Sequence, residues 1–263
     1  MPAAFSKGWS EARLLRINLG SRSFRASVGM TVLALAGVLL FGQLGRWQWH
    51  RAAEKRALVA AFEAGAKISA IELGGRPLAE LPRYALLRLR GQYDGGHQFL
   101  LDNIGRDGVA GYEVLTPFQL DDGRIVLVNR GWLPLSNGRR EPLPDVSLPP
   151  ASAVPPTEIT GRIEELPVTA LRMGRAPPPA GPAWPKRTSF PTSAQLAEAL
   201  GRPVEAREVL LAANEPQGYR RDWHAGGNGF GPERHLAYAL QWWGFAALTL
   251  FLYVFLNLER REP

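Results

Sequence analysis

Apolar residues in this chain fall into two patterns, long unbroken runs near each end and short alternating segments between them. The first run, residues 26 to 45, is roughly 20 residues without a charge, enough at 1.5 Å per residue to cross a hydrocarbon core. It ends in Arg46-Trp47-Gln48-Trp49-His50-Arg51, with two tryptophans at the interface position and then charge. A cleaved signal peptide has a shorter apolar core and a small-x-small site behind it. These flanks predict an uncleaved anchor instead. The second run, residues 236 to 258, is also uncharged; Arg234 and His235 precede it, and Glu259, Arg260 and Arg261 close it. Its length and near-total apolarity predict a second span in preference to the core helix of a soluble domain.

Between the runs the pattern changes twice. Residues 51 to 66 are rich in Ala, Glu, Lys and Leu and carry the first helix on into water. Period-two alternation follows, with Leu87, Leu89 and Gly91 set against Arg88 and Arg90. Residues 97–104, 111–120 and 124–134 read as further strands, the last two joined by the turn Asp121-Asp122-Gly123. Proline excludes helix and central strand from 141–156 and 175–186, which become extended connections. Residues 157–164 and 207–214 resume strand, and 192–201 form a short helix with Thr192 or Ser193 as N-cap and Gly201 as its stop.

The predicted fold class is therefore a membrane protein of the α+β type, with two transmembrane helices flanking a mainly antiparallel β extracytoplasmic domain. Its expected parts are a basic cytoplasmic tail (1–25), a transmembrane helix (26–49), the central domain (50–234), a second transmembrane helix (235–258) and a short C-terminal tail (259–263). The tail, charged and without a sustained period, is expected to be loosely ordered. Gly29, Ala36 and Gly37 are expected to let the two helices pack closely.

Charge bears on partners and orientation. The chain carries a net +7, and Lys7, Arg13, Arg16, Arg22 and Arg25 against Glu11 leave about +4 in the first 25 residues. A basic arm beside an apolar run fits anionic lipid and places both termini in the cytoplasm. Arg46, Arg51, Lys55 and Arg56, just past the first span, argue the other way. The remaining arginines are scattered and form no nucleic-acid motif, so the expected partner is the lipid bilayer and not DNA or RNA. The chain has no cysteine, which excludes disulfides, thiolate metal sites and covalent c-type haem attachment.

The sequence contains no nucleophile elbow, phosphate loop, dinucleotide fingerprint or H-E-x-x-H pair, and no enzyme is expected. Asp121–Asp122 and Glu164–Glu165 are neighbours that read as turn or surface groups. Copper carriage lacks clustered Cys, Met or His. Of the four histidines, His97 and His224 read as exposed loop residues, whereas His50 and His235 stand at the same membrane boundary. On a helical wheel His235, Tyr238, Trp242, Phe245 and Thr249 share one stripe. Such a stripe is an interfacial aromatic belt. The sharper, less ordinary reading of the same spacing is a groove offering an imidazole and flat walls to a large planar metal-centred ligand, and haem iron takes axial His.

Three stretches carry a resemblance to a known family. They are Leu44-Gly-Arg-Trp-Gln-Trp-His-Arg-Ala-Ala-Glu-Lys55, the run from Asn103 through G-Y-x-V-L-T-P (111–117) to V-N-R-G-W (128–132), and N-E-P-Q-G-Y (214–219) followed by H-L-x-Y-A-x-Q-W (235–242). In this order, between two spans, they resemble the surfeit-locus-one (Shy) family of cytochrome c oxidase assembly factors over about residues 30 to 255. The resemblance implies a bacterial inner-membrane protein with its central domain on the outer face. It implies work on the haem-carrying subunit I of the oxidase, with haem a synthase as a further partner. It also implies binding or handing over of haem a as the cofactor, with His235 as the metal ligand. Tyr238 and Trp242 would then line the ring, Arg51 and Arg46 would pair with propionates, and Gln48 would bond across the helix pair. The rival reading is a haem-free scaffold that holds an oxidase intermediate. The family often has P-N-x-H where this chain has Gly231-Pro-Glu-Arg-His235.

Overall fold

The computed structural model describes residues 13–19, 22–135, 142–148, 156–168, 176–225 and 230–260. All other residues, among them parts of the two proline-rich connections and of the termini, lie outside the described residues. The chain divides into two compact units, residues 1–57 with 230–263, and residues 58–229.

In the first unit, α1 (Val28–Ala66) and α3 (Pro232–Leu256) are long and apolar enough to cross a membrane. Only 6 % of each apolar window is buried, so these are not core helices of a soluble fold; the apolar surface needs lipid. As the composition of residues 51 to 66 implies, α1 runs past its apolar part without a break. The helices pack antiparallel. Thr31 meets Tyr253 (Oγ1 to OH, 2.8 Å), Phe41 stacks on Trp242 (5.7 Å between centroids), and Gln48 meets His235. The covered positions step by three and four, through Thr31, Ala34, Val38, Phe41, Gly45, Gln48 and Ala52 on α1 and through His235, Ala239, Trp242, Ala246, Thr249 and Tyr253 on α3. That is a heptad seam.

The glycine that matters most for this approach is not among those expected. A Cβ on Gly45 would overlap the Trp243 ring, whereas one on Gly29 would meet nothing; Gly37 sits against Thr249 as anticipated. The tail also departs from expectation. Instead of loose chain, β1 (Arg13–Leu19) and β2 (Arg22–Ser27) form an antiparallel hairpin, and β11 (Leu258–Arg260) adds to β2. Alternation of Leu15, Ile17 and Leu19 with Arg16 and Asn18 is a strand period too short to stand out amid the charge.

The second unit is built on an eight-stranded sheet. Its strands are β3 (Ile71–Glu72), β4 (Leu86–Tyr93), β5 (Phe99–Arg106), β6 (Val109–Leu120), β7 (Ile125–Pro134), β8 (Thr157–Glu164), β9 (Lys186–Thr188) and β10 (Glu208–Leu211). Five of them pair in a ring, β4–β8–β10–β7–β6, which closes where Gly91–Tyr93 pair with Phe118–Leu120. Most pairings are antiparallel, as the alternation predicts. The exceptions are β10 with β7, β3 with β4 and β5 with β9, where the chain returns after a long connection and enters from the same end. Leu87, Leu89, Phe118, Val126, Val128, Ile159, Ile163 and Val209 belong to one core cluster. The intervening positions Phe99, Leu101, Leu115 and Leu127 form a second core with Leu196 of α2 (Ser193–Leu200). Thr192, one of the two expected N-caps, caps α2 in a reciprocal box with Gln195, and Gly201 ends it in the left-handed region as predicted. The last turns of α1 belong to this unit through Phe62, whose ring meets Tyr84 at 5.2 Å and whose carbonyl accepts from Arg162.

Candidate functional site

His235 is the fourth residue of α3, half-buried in the first turn where the seam opens. Its Nδ1 lies 2.7 Å from Gln48 Oε1 on α1. A carboxamide oxygen only accepts, so Nδ1 carries the proton and the lone pair sits on Nε2. The seam's spacing explains the meeting, because Gln48 is seven residues on from Phe41 and His235 seven before Trp242, the pair already stacked. Phe230 lies edge-on to the imidazole at 6.4 Å, and the Arg234 guanidinium lies over the Phe230 ring at 4.3 Å.

The structure distributes the other expected site residues unequally. Trp242 is spent on packing, between Phe41 and Phe245. Tyr238 is 41 % exposed, because the seam runs through Ala239 and leaves its neighbour at the edge of the groove. The stripe read from the wheel was thus offset: Ala239 and Ala246 face α1, since small residues let the backbones approach, and Tyr238 and Phe245 flank them. Arg51 is exposed and pairs with Glu54 one turn along its own helix (2.6 Å). Arg46 stands about 200° round α1 from Gln48, on another face of the helix. His50, His97 and His224 are all exposed; His97 is tied to Asp94 and His224 to the Asp222 carbonyl.

A second concentration of polar groups lies in the barrel, around V-N-R-G-W. Arg130 is 3 % exposed and donates through Nη1 to Gln98 Oε1 (2.8 Å) and the Val146 carbonyl (3.2 Å), and through Nε to the Gln217 carbonyl (2.8 Å). Its guanidinium lies over Tyr219 at 5.0 Å, and burial pulls its pKa down from the usual range. Asn129 donates to Glu113 (2.9 Å) and Glu208 (3.2 Å). Burial, then the neighbouring Glu113 and Glu164, push the Glu208 carboxyl well above the usual range. Gly131 has φ of +113°, and a Cβ there would strike the Arg220 carbonyl; Trp132 donates from Nε1 to the Ile104 carbonyl. Arg221 clamps the carbonyls of Ala212 and Glu215, at the two ends of the turn that leads into Gln217 and Tyr219. These contacts tie strands and loops of the barrel to one another.

One open cleft of about 660 Å³ lies between Gln119, Arg124, Arg202 and Glu205. Arg124 is neutralised by Asp122 and Glu205, and Arg202 by Asp94, so its lining offers no net charge to a ligand.

Sequence reasoning missed Phe41, Gly45 and Trp243 as the packing that sets the mouth of the helix pair. The signal was present as small and polar residues at heptad spacing inside the spans.

Comparison with known proteins adds the family. The chain is 32 % identical over 114 residues to a SURF1-like protein of Dictyostelium discoideum, a match covering 40 % of the chain and 42 % of that relative. It is 28 % identical over 237 residues to a SURF1-like protein of Monosiga brevicollis, covering 84 % of each. It is 24 % identical over 233 residues to one from Rickettsia conorii, covering 80 % of the chain and 84 % of the relative. Residues 35–247, most of the first span, all of the barrel and half of the second span, match the SURF1 family as a whole. The chain belongs to the SURF1 family, the surfeit-locus-one family that its motifs resemble.

Proposed function

We propose that the mouth of the helix pair takes up haem a and hands it to the haem-carrying subunit I of cytochrome c oxidase. Family membership gives the coarser half of this reading, a role in the assembly of that oxidase in an assembly-factor family. The finer half rests on one observation. The bond between His235 Nδ1 and Gln48 Oε1 fixes the tautomer that presents Nε2 as a ligand nitrogen.

Haem a would supply an iron that takes an imidazole nitrogen and a macrocycle edged by propionates. The residues of this chain do the rest. Gln48 holds the His235 ring against rotation and keeps the proton on Nδ1. Tyr238, one turn further on the open flank, presents an aromatic face at the same mouth. Arg51 is exposed and its pair with Glu54 is worth only about 0–1 kcal/mol, so the guanidinium exchanges Glu54 for a propionate at little cost. Arg46 and Trp242 do not fit the roles the resemblance implies. The first is on another face, and the second is committed to the seam. A single neutral imidazole suits a carrier, which must also release its cargo. In this reading the protein sits in a bacterial inner membrane with both termini in the cytoplasm and the barrel outside, where haem a synthase would meet it.

The test is to co-express the chain with the enzymes of haem a synthesis, purify it, and record absorbance spectra of the wild type and of His235→Ala. The expected result is a haem a spectrum that His235→Ala mostly removes at unchanged thermal stability. Equal haem in both places the ligand elsewhere. No haem in either favours the scaffold reading, in which His235 only caps the helix pair.

A further inference from the structure

The seam between the helices has two flanks, and the haem reading uses one of them. On the other, Trp49 of α1 meets Trp243 of α3 at 5.8 Å between ring centroids. Trp243 lies about 140° round α3 from Tyr238, and Trp49 about 160° round α1 from Arg51, so this pair stands on the flank away from the haem mouth. Both rings remain open to the surroundings, 42 % and 37 % exposed. Trp243 is drawn in over Gly45, where any side chain would overlap its ring.

Unpaired cations mark the same flank. Arg56, two turns beyond Trp49, sends its guanidinium back to 5.5 Å from the Trp49 ring. Side chains on a helix lean toward its N-terminus, which for α1 is toward the span. The Arg56 Nε donates to the Ala52 carbonyl (3.4 Å), and no carboxylate pairs with it among the described residues. Arg46, one turn before Trp49 on the same face, is exposed and has no hydrogen bond or ion pair among the described residues. It is the first charge after the uncharged run of residues 26–45, so its guanidinium turns away from hydrocarbon toward the level of Trp49. The nearest carboxylate in sequence, Glu54, lies about 140° round the helix from Trp49 and is taken by Arg51.

Below the tryptophans the stripe is bare. Gly42 stands two turns before Trp49, and a Cβ there would meet nothing within 4 Å. In order of depth, the flank therefore offers an open notch in the hydrocarbon, an aromatic pair at the interface and two guanidiniums without a counter-charge.

We infer that this flank is a binding site for one anionic phospholipid of the leaflet in which the first span ends. Arg46 and Arg56 take the phosphate from either side of Trp49, and an acyl chain runs past Trp243 into the notch at Gly42. Charge complementarity selects an anion. A notch at hydrocarbon depth selects a lipid over a soluble acidic protein or free phosphate.

Native mass spectrometry tests this on the full chain, released from detergent after incubation with equal amounts of phosphatidylglycerol and phosphatidylcholine of the same acyl chains. One phosphatidylglycerol is expected to be retained over phosphatidylcholine by on the order of tenfold. Arg46→Gln with Arg56→Gln is expected to bring the two lipids to parity, and Arg46→Lys with Arg56→Lys to keep most of the preference. Arg88→Gln with Arg90→Gln removes the same charge from exposed positions of β4 and is expected to leave the preference whole. Gly42→Leu fills the notch and is expected to lower phosphatidylglycerol retention several-fold with both arginines in place. The absence of any preference in the wild type overturns the inference. So does a preference that survives Arg46→Gln with Arg56→Gln, one that falls equally in the β4 variant, or retention that Gly42→Leu leaves unchanged.

Discussion

The barrel and the helix pair both bury polar side chains, and they use them in opposite ways. In the barrel Arg130 and Asn129 lie deep and are locked by several partners each, and the buried Glu208 accepts from Asn129. In the helix pair the polar contacts between the helices among the described residues stand at the two ends of the seam, Thr31 with Tyr253 and Gln48 with His235, with hydrocarbon between. A fully satisfied network specifies a fold and has nothing left to offer a ligand. A single hydrogen bond at an open mouth orients a group and leaves its other nitrogen available. V-N-R-G-W lies within the first arrangement, and H-L-x-Y-A-x-Q-W begins at the second, where the proposed ligand nitrogen stands.

The comparison breaks most visibly at Arg130. Arg130→Leu deprives the Gln217 carbonyl and Gln98 of a charged donor and is expected to cost about 3–5 kcal/mol, seen as a large fall in melting temperature of the full chain in detergent. Haem bound per folded molecule is expected to stay the same. If haem is lost while the fold survives, the division of labour between the two regions is wrong.

At the helix mouth the expected pattern is the reverse. Gln48→Leu frees the His235 ring to rotate and to change tautomer, and is expected to weaken haem binding by about 10–100-fold with melting temperature nearly unchanged. Gln48→Glu keeps an acceptor for Nδ1–H and is expected to restore most of the binding. A titration in which leucine and glutamate behave alike would reduce Gln48 to a packing residue.

The smallest effect sharpens the barrel side. Glu208 has its pKa raised on folding, so the folded state favours the neutral form. Its stabilising contribution is whole below the unfolded pKa and is lost as pH rises toward the folded one. Glu208→Gln keeps an oxygen for Asn129 and carries no charge. It is expected to gain on the order of 1 kcal/mol, about 2–4 °C in melting temperature, at neutral pH and nothing near pH 4. An equal shift at both pH values would show that the gain comes from packing.

By itself the sequence determined the elements. Uncharged runs long enough for a bilayer, the Leu87/Leu89 alternation, the Thr192 cap and the Gly201 stop each state a local preference that tertiary contact did not need to overrule. With the resemblance it also pointed to His235, and to Gln48 as a bond across the helix pair. Tertiary structure decided what those elements share. Ring closure of the barrel depends on Gly91–Tyr93 finding Phe118–Leu120 across the turn, and the tail sheet on Arg22–Phe24 finding Leu258–Arg260 from the other end of the chain. Neither pairing leaves a local trace. The choice of Ala239 over Tyr238 for the seam was likewise invisible on a single-helix wheel. A wheel shows which residues share a face, but the face that packs is set by how closely a second backbone approaches, and only small residues on both helices permit that.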